Sequence, residues 1–187
     1  IFNAYSKSFF NLQKKFGFAA VRAGNVIGGG DWSPNRIIPD CIRSIEKNKS
    51  LIIRNPNSTR PWQHALEPIS GYLLLGKKLY ENKKKFNGSW NFGPSINKSM
   101  IVKDVVRLFF KFLGYKKKII FKKARFKETN LLKLNSNKAL KKINWKNTWN
   151  MRVSIIKTAD WYLSYLKKKN LKKITSFQIR EYFNLND

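Results

Sequence analysis

Hydrophobic and polar positions follow two rhythms along this chain. Phe18 to Ile27 is a nearly unbroken apolar run, the pattern of a compact buried strand, and Leu51 to Ile53, Ser89 to Phe92 and Lys118 to Phe121 read as shorter strands. Between them apolar residues return at helical spacing. Residues 3–15 read as the end of a helix, and 34–48 as a helix with Pro34 in its first turn. A clear helix covers 71–84, entered through Glu67 as cap and Pro68 in the first turn, and another covers 101–113. Residues 137–143, 151–168 and 175–184 read as closing helices, whereas RNPNSTRP at 54–61 is turn-rich. Strands alternating with helices, with no internal repeat and no long linker, predict an α/β protein.

Composition narrows the class. The chain has 187 residues, 42% of them hydrophobic and 14% aromatic, which is the make-up of a globular domain rather than a disordered segment. No run approaches the roughly 20 apolar residues that cross a bilayer. The sequence starts at Ile1 with no basic-then-apolar leader, so it is expected to be part of a soluble protein whose beginning is missing. Cys41, the one cysteine, excludes an internal disulfide, and with His64 as the one histidine no ordinary four-ligand zinc site is expected. Cys41 falls in the apolar rhythm of IIPDCIRSI and reads as a small core residue. His64 reads as a structural hydrogen-bonding residue.

The net charge of +29 by itself suggests a nucleic-acid partner. Its distribution favours a solvated surface instead, because the lysines come in short runs scattered over every segment after residue 80, among many Asn and Ile. Such a charge still attracts anionic ligands such as sugar nucleotides.

Three glycines, Gly28 to Gly30, follow the first apolar run, where nucleotide-binding proteins often keep a phosphate loop. Gly28 and Gly30 fit the first two positions of G-x-G-x-x-G, but Ser33 stands at the third. The nearest acid at the right distance, Glu46, lies at the polar end of a helix and not at a strand tip. A Walker A loop is excluded as well, since Asp31 and Trp32 follow where Lys and Ser or Thr are required. The stretch reads as a turn between a strand and a helix.

Longer motifs carry more. RAGNVIGGGDW at 22–32, RIIPD at 36–40, IIRNPNSTRPWQHALEPISGYLLLG at 52–76, WNFGP at 90–94, LKLNSNKAL at 132–140, TADWYL at 158–163 and ITSFQIREYF at 174–183 together resemble the CDP-glucose 4,6-dehydratases, a branch of the extended short-chain dehydrogenases/reductases. Arg22, Asn25, Gly28 and Arg60 alone would fit any extended member; GGGDW and RPWQH point to this branch. The resemblance covers essentially the whole chain. It implies an incomplete Rossmann-type domain lacking its amino-terminal half, represented by 1–27 and 62–93, with 28–61 and 94–187 forming the smaller substrate domain. It also implies an NAD-dependent conversion of CDP-glucose to CDP-4-dehydro-6-deoxyglucose: oxidation at C4, loss of water across C5 and C6, and return of hydride to C6. The resemblance further implies a place in the deoxysugar biosynthesis of lipopolysaccharide O-antigen and a cytoplasmic, homo-oligomeric full-length enzyme that needs no metal or membrane.

Residue by residue, the resemblance assigns Asn25 to a substrate contact near the diphosphate and Arg60 to the diphosphate itself, where a guanidinium fork suits two phosphate oxygens. Arg36 with Ile37, and Ile53 with Arg54, fall where the family lines the nucleotide-sugar pocket. Trp62 either packs the pocket wall or belongs to the core, and Arg22 either braces the glycine turn or reaches an anion. The three glycines would let backbone approach the sugar nucleotide without Cβ atoms in the way. The family's catalytic Tyr-x-x-x-Lys pair does not match at Tyr5, because Phe9 stands four positions on and Lys7, two away, points elsewhere on a helix. That pair and the NAD phosphate loop are expected upstream of Ile1, so this chain alone is expected to be inactive and to supply no cofactor-binding residue. Asn135 stands where the family has Asp, and Lys127-Glu128 where it has His-Glu. Another nucleotide-sugar dehydratase or epimerase, and a basic nucleic-acid-binding protein, remain alternative readings.

Overall fold

The apolar run at 18–27 folds as two strands, not one, in a computed structural model that describes residues 2–10, 17–94, 99–116, 118–122 and 132–185. These are β1 (Ala19–Ala23) and β2 (Asn25–Ile27). The later strands are β3 (Leu51–Ile53), β4 (Thr59–Arg60), β5 (Trp62–His64), β6 (Gly88–Phe92), β7 (Met100–Ile101) and β8 (Ile119–Phe121). β1 runs parallel to β6, β2 to β5 and β3 to β8, while β4 and β7 pair antiparallel. The break between β1 and β2 is steric. A Cβ on Gly24 would lie 2.2 Å from the Pro61 carbonyl oxygen, so only glycine lets the two segments approach there and each half of the run find its own partner.

The expectation of a buried strand fails at β1. Val21 is 39% exposed and Arg22 is exposed, since among the described strands β1 has β6 as its single neighbour and a two-stranded ribbon covers little surface.

The helices are α1 (Phe2–Tyr5), continued by a π-helical turn over Ser6–Phe10, then α2 (Ile37–Glu46), α3 (Leu66–Glu81), α4 (Val102–Leu113), α5 (Asn137–Ile143), α6 (Met151–Leu166) and α7 (Leu171–Phe183). Several starts differ from those expected: α7 begins four residues before 175 and α4 one residue after 101, and two others have a clear physical cause. α2 begins at Ile37 and not at Pro34, because Asn35 adopts a left-handed backbone with φ 59°, which a helix cannot include. α3 begins at Leu66, which puts Glu67 inside its first turn with its side chain in the core, so it does not cap.

Burial follows the helical period. Val105, Val106, Phe109 and Phe110 form one apolar stripe of α4, and they pack with Cys41 and Ile42 of α2 and Ile155 and Tyr162 of α6. Each such side chain contributes roughly 1.5–3 kcal/mol of apolar burial. Cys41 is free and fully buried, as a core residue should be, and burial pushes its thiol pKa up. A second cluster joins Leu75 of α3 to Trp90 and Phe92 of β6 and to Ala139 and Ile143 of α5. No described helix is long and apolar enough to cross a membrane.

Candidate functional site

A cavity of about 630 Å³ lies where β2, the end of β3, β4 and the start of α2 converge. Its walls carry Asn25, Arg36, Ile37, Arg54, Arg60 and Trp62, residues named from the resemblance, in one concavity. Gly28, Asp31, Asn35, Ile52, Ile53, Ser58 and Val102 also line it. Backbone pairing brings these segments together. The β2–β5 register sets Asn25 opposite Trp62, and the β4–β7 register sets Arg60 opposite Met100. The Trp62 indole Nε1 then donates to the Met100 carbonyl at 3.2 Å, which ties β5 to the strand that holds Arg60. Arg60 itself donates from Nη1 to the Thr59 carbonyl at 3.0 Å.

Among the described residues, the lining of this cavity has a surplus of positive charge. Arg36, Arg54 and Arg60 line it against Asp31 and Asp40, and both acids are already engaged. Asp31 lies 3.9 Å from Arg36, and Asp40 accepts from Arg43 at 2.5 Å. Arg43 also donates to the carbonyls of Trp32 and Ser33 at 3.2 and 3.1 Å, which staples that turn to α2. The amino terminus of α2 has no side-chain cap among the described residues and opens on the same space. Guanidinium groups beside a helix amino terminus suit an anion with several oxygens.

Of the three glycines, Gly28 alone lines this cavity. The reading of all three as an approach for a ligand is corrected by Trp161, whose ring a Cβ on Gly29 would meet at 2.1 Å. Gly29 makes room for that indole, and Gly30 is needed for its φ of 80°. The turn is packed against α6, and α2 starts only at Ile37, so these residues do not fit the pyrophosphate of a dinucleotide such as NAD. Arg22 is exposed, lines neither of the two large cavities and makes no hydrogen bond to the turn among the described residues. Lys127-Glu128 lies outside the described residues.

No protein-family model matches the chain. It is 36% identical to CDP-glucose 4,6-dehydratase from Salmonella typhimurium, over 97% of its own length and 52% of that protein's. It thus spans about half the length of the curated relative it matches. Among solved structures it is similar to UDP-glucose 4-epimerase with UDP-glucose from Thermotoga maritima, with TM-score 0.71, 15% identity and coverage of 88% of this chain and 50% of that one. It is also similar to dTDP-glucose 4,6-dehydratase from Bacillus anthracis in complex with NAD, with TM-score 0.67, 18% identity and coverage of 91% and 50%. The fold is that of the extended short-chain dehydrogenases/reductases.

Within this extended short-chain dehydrogenase/reductase fold, Trp62 answers both readings made of it. It is 6% exposed and packs with the core, yet it lines the first cavity and also a second, of about 660 Å³, bordered by Gln63, Trp145, Asn147 and Trp149. The loop that carries those last three residues is held by Glu67, the expected cap of α3. Its carboxylate accepts from the Trp149 and Thr148 backbone N–H groups at 2.7 and 3.1 Å, from Asn147 Nδ2 at 3.1 Å and from the Tyr182 hydroxyl at 3.0 Å. A glutamate at the head of a helix carries no sequence signal for partners 80 residues on.

His64 is buried beside this loop, its ring edge-on to Trp149 at 4.9 Å. Nδ1 accepts from the Leu66 N–H at 3.3 Å, and Nε2 is buried with no partner among the described residues. Burial, with a smaller repulsion from Lys157, lowers its pKa from 6.5 to about 4. The unfolded chain therefore takes up a proton that the folded protein refuses. Stability is full above pH 6.5 and is lost as the pH falls from 6.5 towards about 4. At about 1.4 kcal/mol per pH unit, going from pH 7 to pH 5 should cost up to about 2 kcal/mol. His64→Asn should flatten that slope in urea denaturation at the two pH values; an unchanged slope would refute the assignment.

Proposed function

We propose that the cationic cavity binds the nucleoside diphosphate of CDP-glucose, and that this chain carries the substrate half of an NAD-dependent CDP-glucose 4,6-dehydratase. The observation that carries the reading is the meeting of Asn25, Arg36, Arg54 and Arg60, from separate stretches of sequence, on one cavity with surplus positive charge. The 36% identity to CDP-glucose 4,6-dehydratase of Salmonella supports it. In this reading Arg60 grips the diphosphate with its guanidinium fork, Asn25 hydrogen-bonds the substrate beside it, and the α2 amino terminus adds backbone donors. Ile37 and Trp62 exclude water from the walls. A cytoplasmic location and a homo-oligomeric full-length enzyme are part of the same proposal.

NAD would supply the oxidation and its reversal in such an enzyme. The glycine turn does not fit its phosphates, and Tyr5 lacks a lysine four positions on, so the share of the reaction assigned to these residues is holding and orienting the substrate. Accordingly, incubation of this chain with CDP-glucose and NAD⁺ is expected to give binding without turnover. Calorimetry should register CDP-glucose and not glucose 1-phosphate, and no 4-keto sugar should form. Absence of CDP-glucose binding would overturn the substrate assignment, and clear turnover would overturn its division of labour. The likeness to UDP-glucose 4-epimerase favours one alternative, a related nucleotide-sugar enzyme with a different base, which the next experiment addresses.

A further inference from the structure

We propose that Arg54 is the residue that tells a cytosine nucleotide from a uracil nucleotide in this cavity; the inference rests on the nucleotide-sugar reading above. The three arginines on the wall are not equivalent. Arg36 faces Asp31 at 3.9 Å, and Arg60 is braced through the Thr59 carbonyl and the β4–β7 pair. Arg54, directly after β3, is exposed to the cavity and has no hydrogen bond or ion pair with any described residue. A diphosphate diester carries two negative charges, which Arg60, Arg36 and the α2 amino terminus can match without it. Next to Arg54 on the same wall stands Ile52, a side chain 49% exposed although it is aliphatic and sits in a strand.

An exposed apolar surface beside an unengaged planar donor is the chemistry of a site for a flat heterocycle, with Ile52 covering a ring face and the guanidinium meeting the ring edge. Arginine is a donor only, with two N–H groups in parallel. Cytosine presents two adjacent acceptors, N3 and O2, to such a fork. Uracil carries a proton on N3, so the same fork would set donor against donor and leave both unsatisfied, which costs about tenfold or more in affinity.

The test is calorimetric titration of CDP and UDP into the parent chain, Arg54→Met and Arg60→Ala. Methionine keeps the stem and removes the donors at an exposed position, and circular dichroism checks that the fold is unchanged. The parent should bind CDP about tenfold or more tightly than UDP. Arg54→Met should lose about tenfold in CDP affinity while UDP binding stays within about twofold, which erases the preference. Arg60→Ala should weaken both nucleotides together and keep their ratio. Equal losses of CDP and UDP in Arg54→Met would make Arg54 a phosphate contact and overturn the proposal, as would a parent without preference or a preference that survives the substitution. If the parent binds neither nucleotide, the nucleotide-sugar reading falls and this inference falls with it.

Discussion

Glu67→Ala is expected to lower the unfolding free energy by about 3–4 kcal/mol, measured by urea denaturation followed through tryptophan fluorescence. Glu67 is fully buried, and its carboxylate is the shared acceptor for two backbone N–H groups, an amide and a phenol. Removing it strands the Thr148 and Trp149 N–H groups away from water and frees the loop that fixes Trp145 and Trp149. Tyr182 also meets Ser70 at 3.0 Å, and Trp145 Nε1 donates to the same Ser70 hydroxyl at 3.1 Å, so the loss spreads from α3 to α7. Glu67→Gln keeps one acceptor oxygen and should cost about half as much.

The pH dependence of that deficit has a definite sign. Burial is the largest influence on Glu67 and raises its pKa above 4.5, the hydrogen bonds pulling the other way. A carboxyl raised in the folded state stabilises most below its unfolded value and loses that contribution as the pH rises through its folded value. The gap between parent and Glu67→Gln should therefore narrow towards neutral pH. A Glu67→Ala protein within about 1 kcal/mol of the parent would refute the anchoring role.

Arg60→Ala should weaken CDP-glucose binding about tenfold or more, because a charge-assisted bond to phosphate contributes roughly 1.5–3 kcal/mol. Arg36→Ala should cost less. Its guanidinium is 60% exposed and partly offset by Asp31, so solvent screens what it adds. Calorimetry on the two variants ranks them, and an Arg60→Ala protein that binds as tightly as the parent would remove the diphosphate from this wall.

Elements whose pattern was local were legible in the sequence. β3 occupies the residues read from the short apolar run at 51–53, and α5 those read at 137–143, each bounded by polar or turn-forming neighbours. What was not legible depends on distant partners. β4, β5 and β7 are only two or three residues long and exist because Thr59 meets Ile101 and Asn25 meets Trp62 across long separations. The same holds for Gly29, whose space is claimed by Trp161 from α6, and for Glu67, whose partners come from the loop after α5 and from α7. The cavity residues were nameable because RPWQH, RIIPD and the Asn25 segment are linear motifs. Asp31, Asn35, Ser58 and Val102 escaped because only the folded turn, the β4–β7 pair and the α4 start bring them to the wall.

The central claim is that the space between β2, β3, β4 and α2 holds the nucleoside diphosphate. Hydrogen–deuterium exchange of this chain with and without CDP-glucose tests it most directly, since it reports which backbone segments the ligand covers. Protection is expected at 25–28, 36–40 and 52–60, with the loop over 145–150 beside the second cavity unchanged. Protection centred on that loop, or no protection anywhere at saturating CDP-glucose, would contradict it.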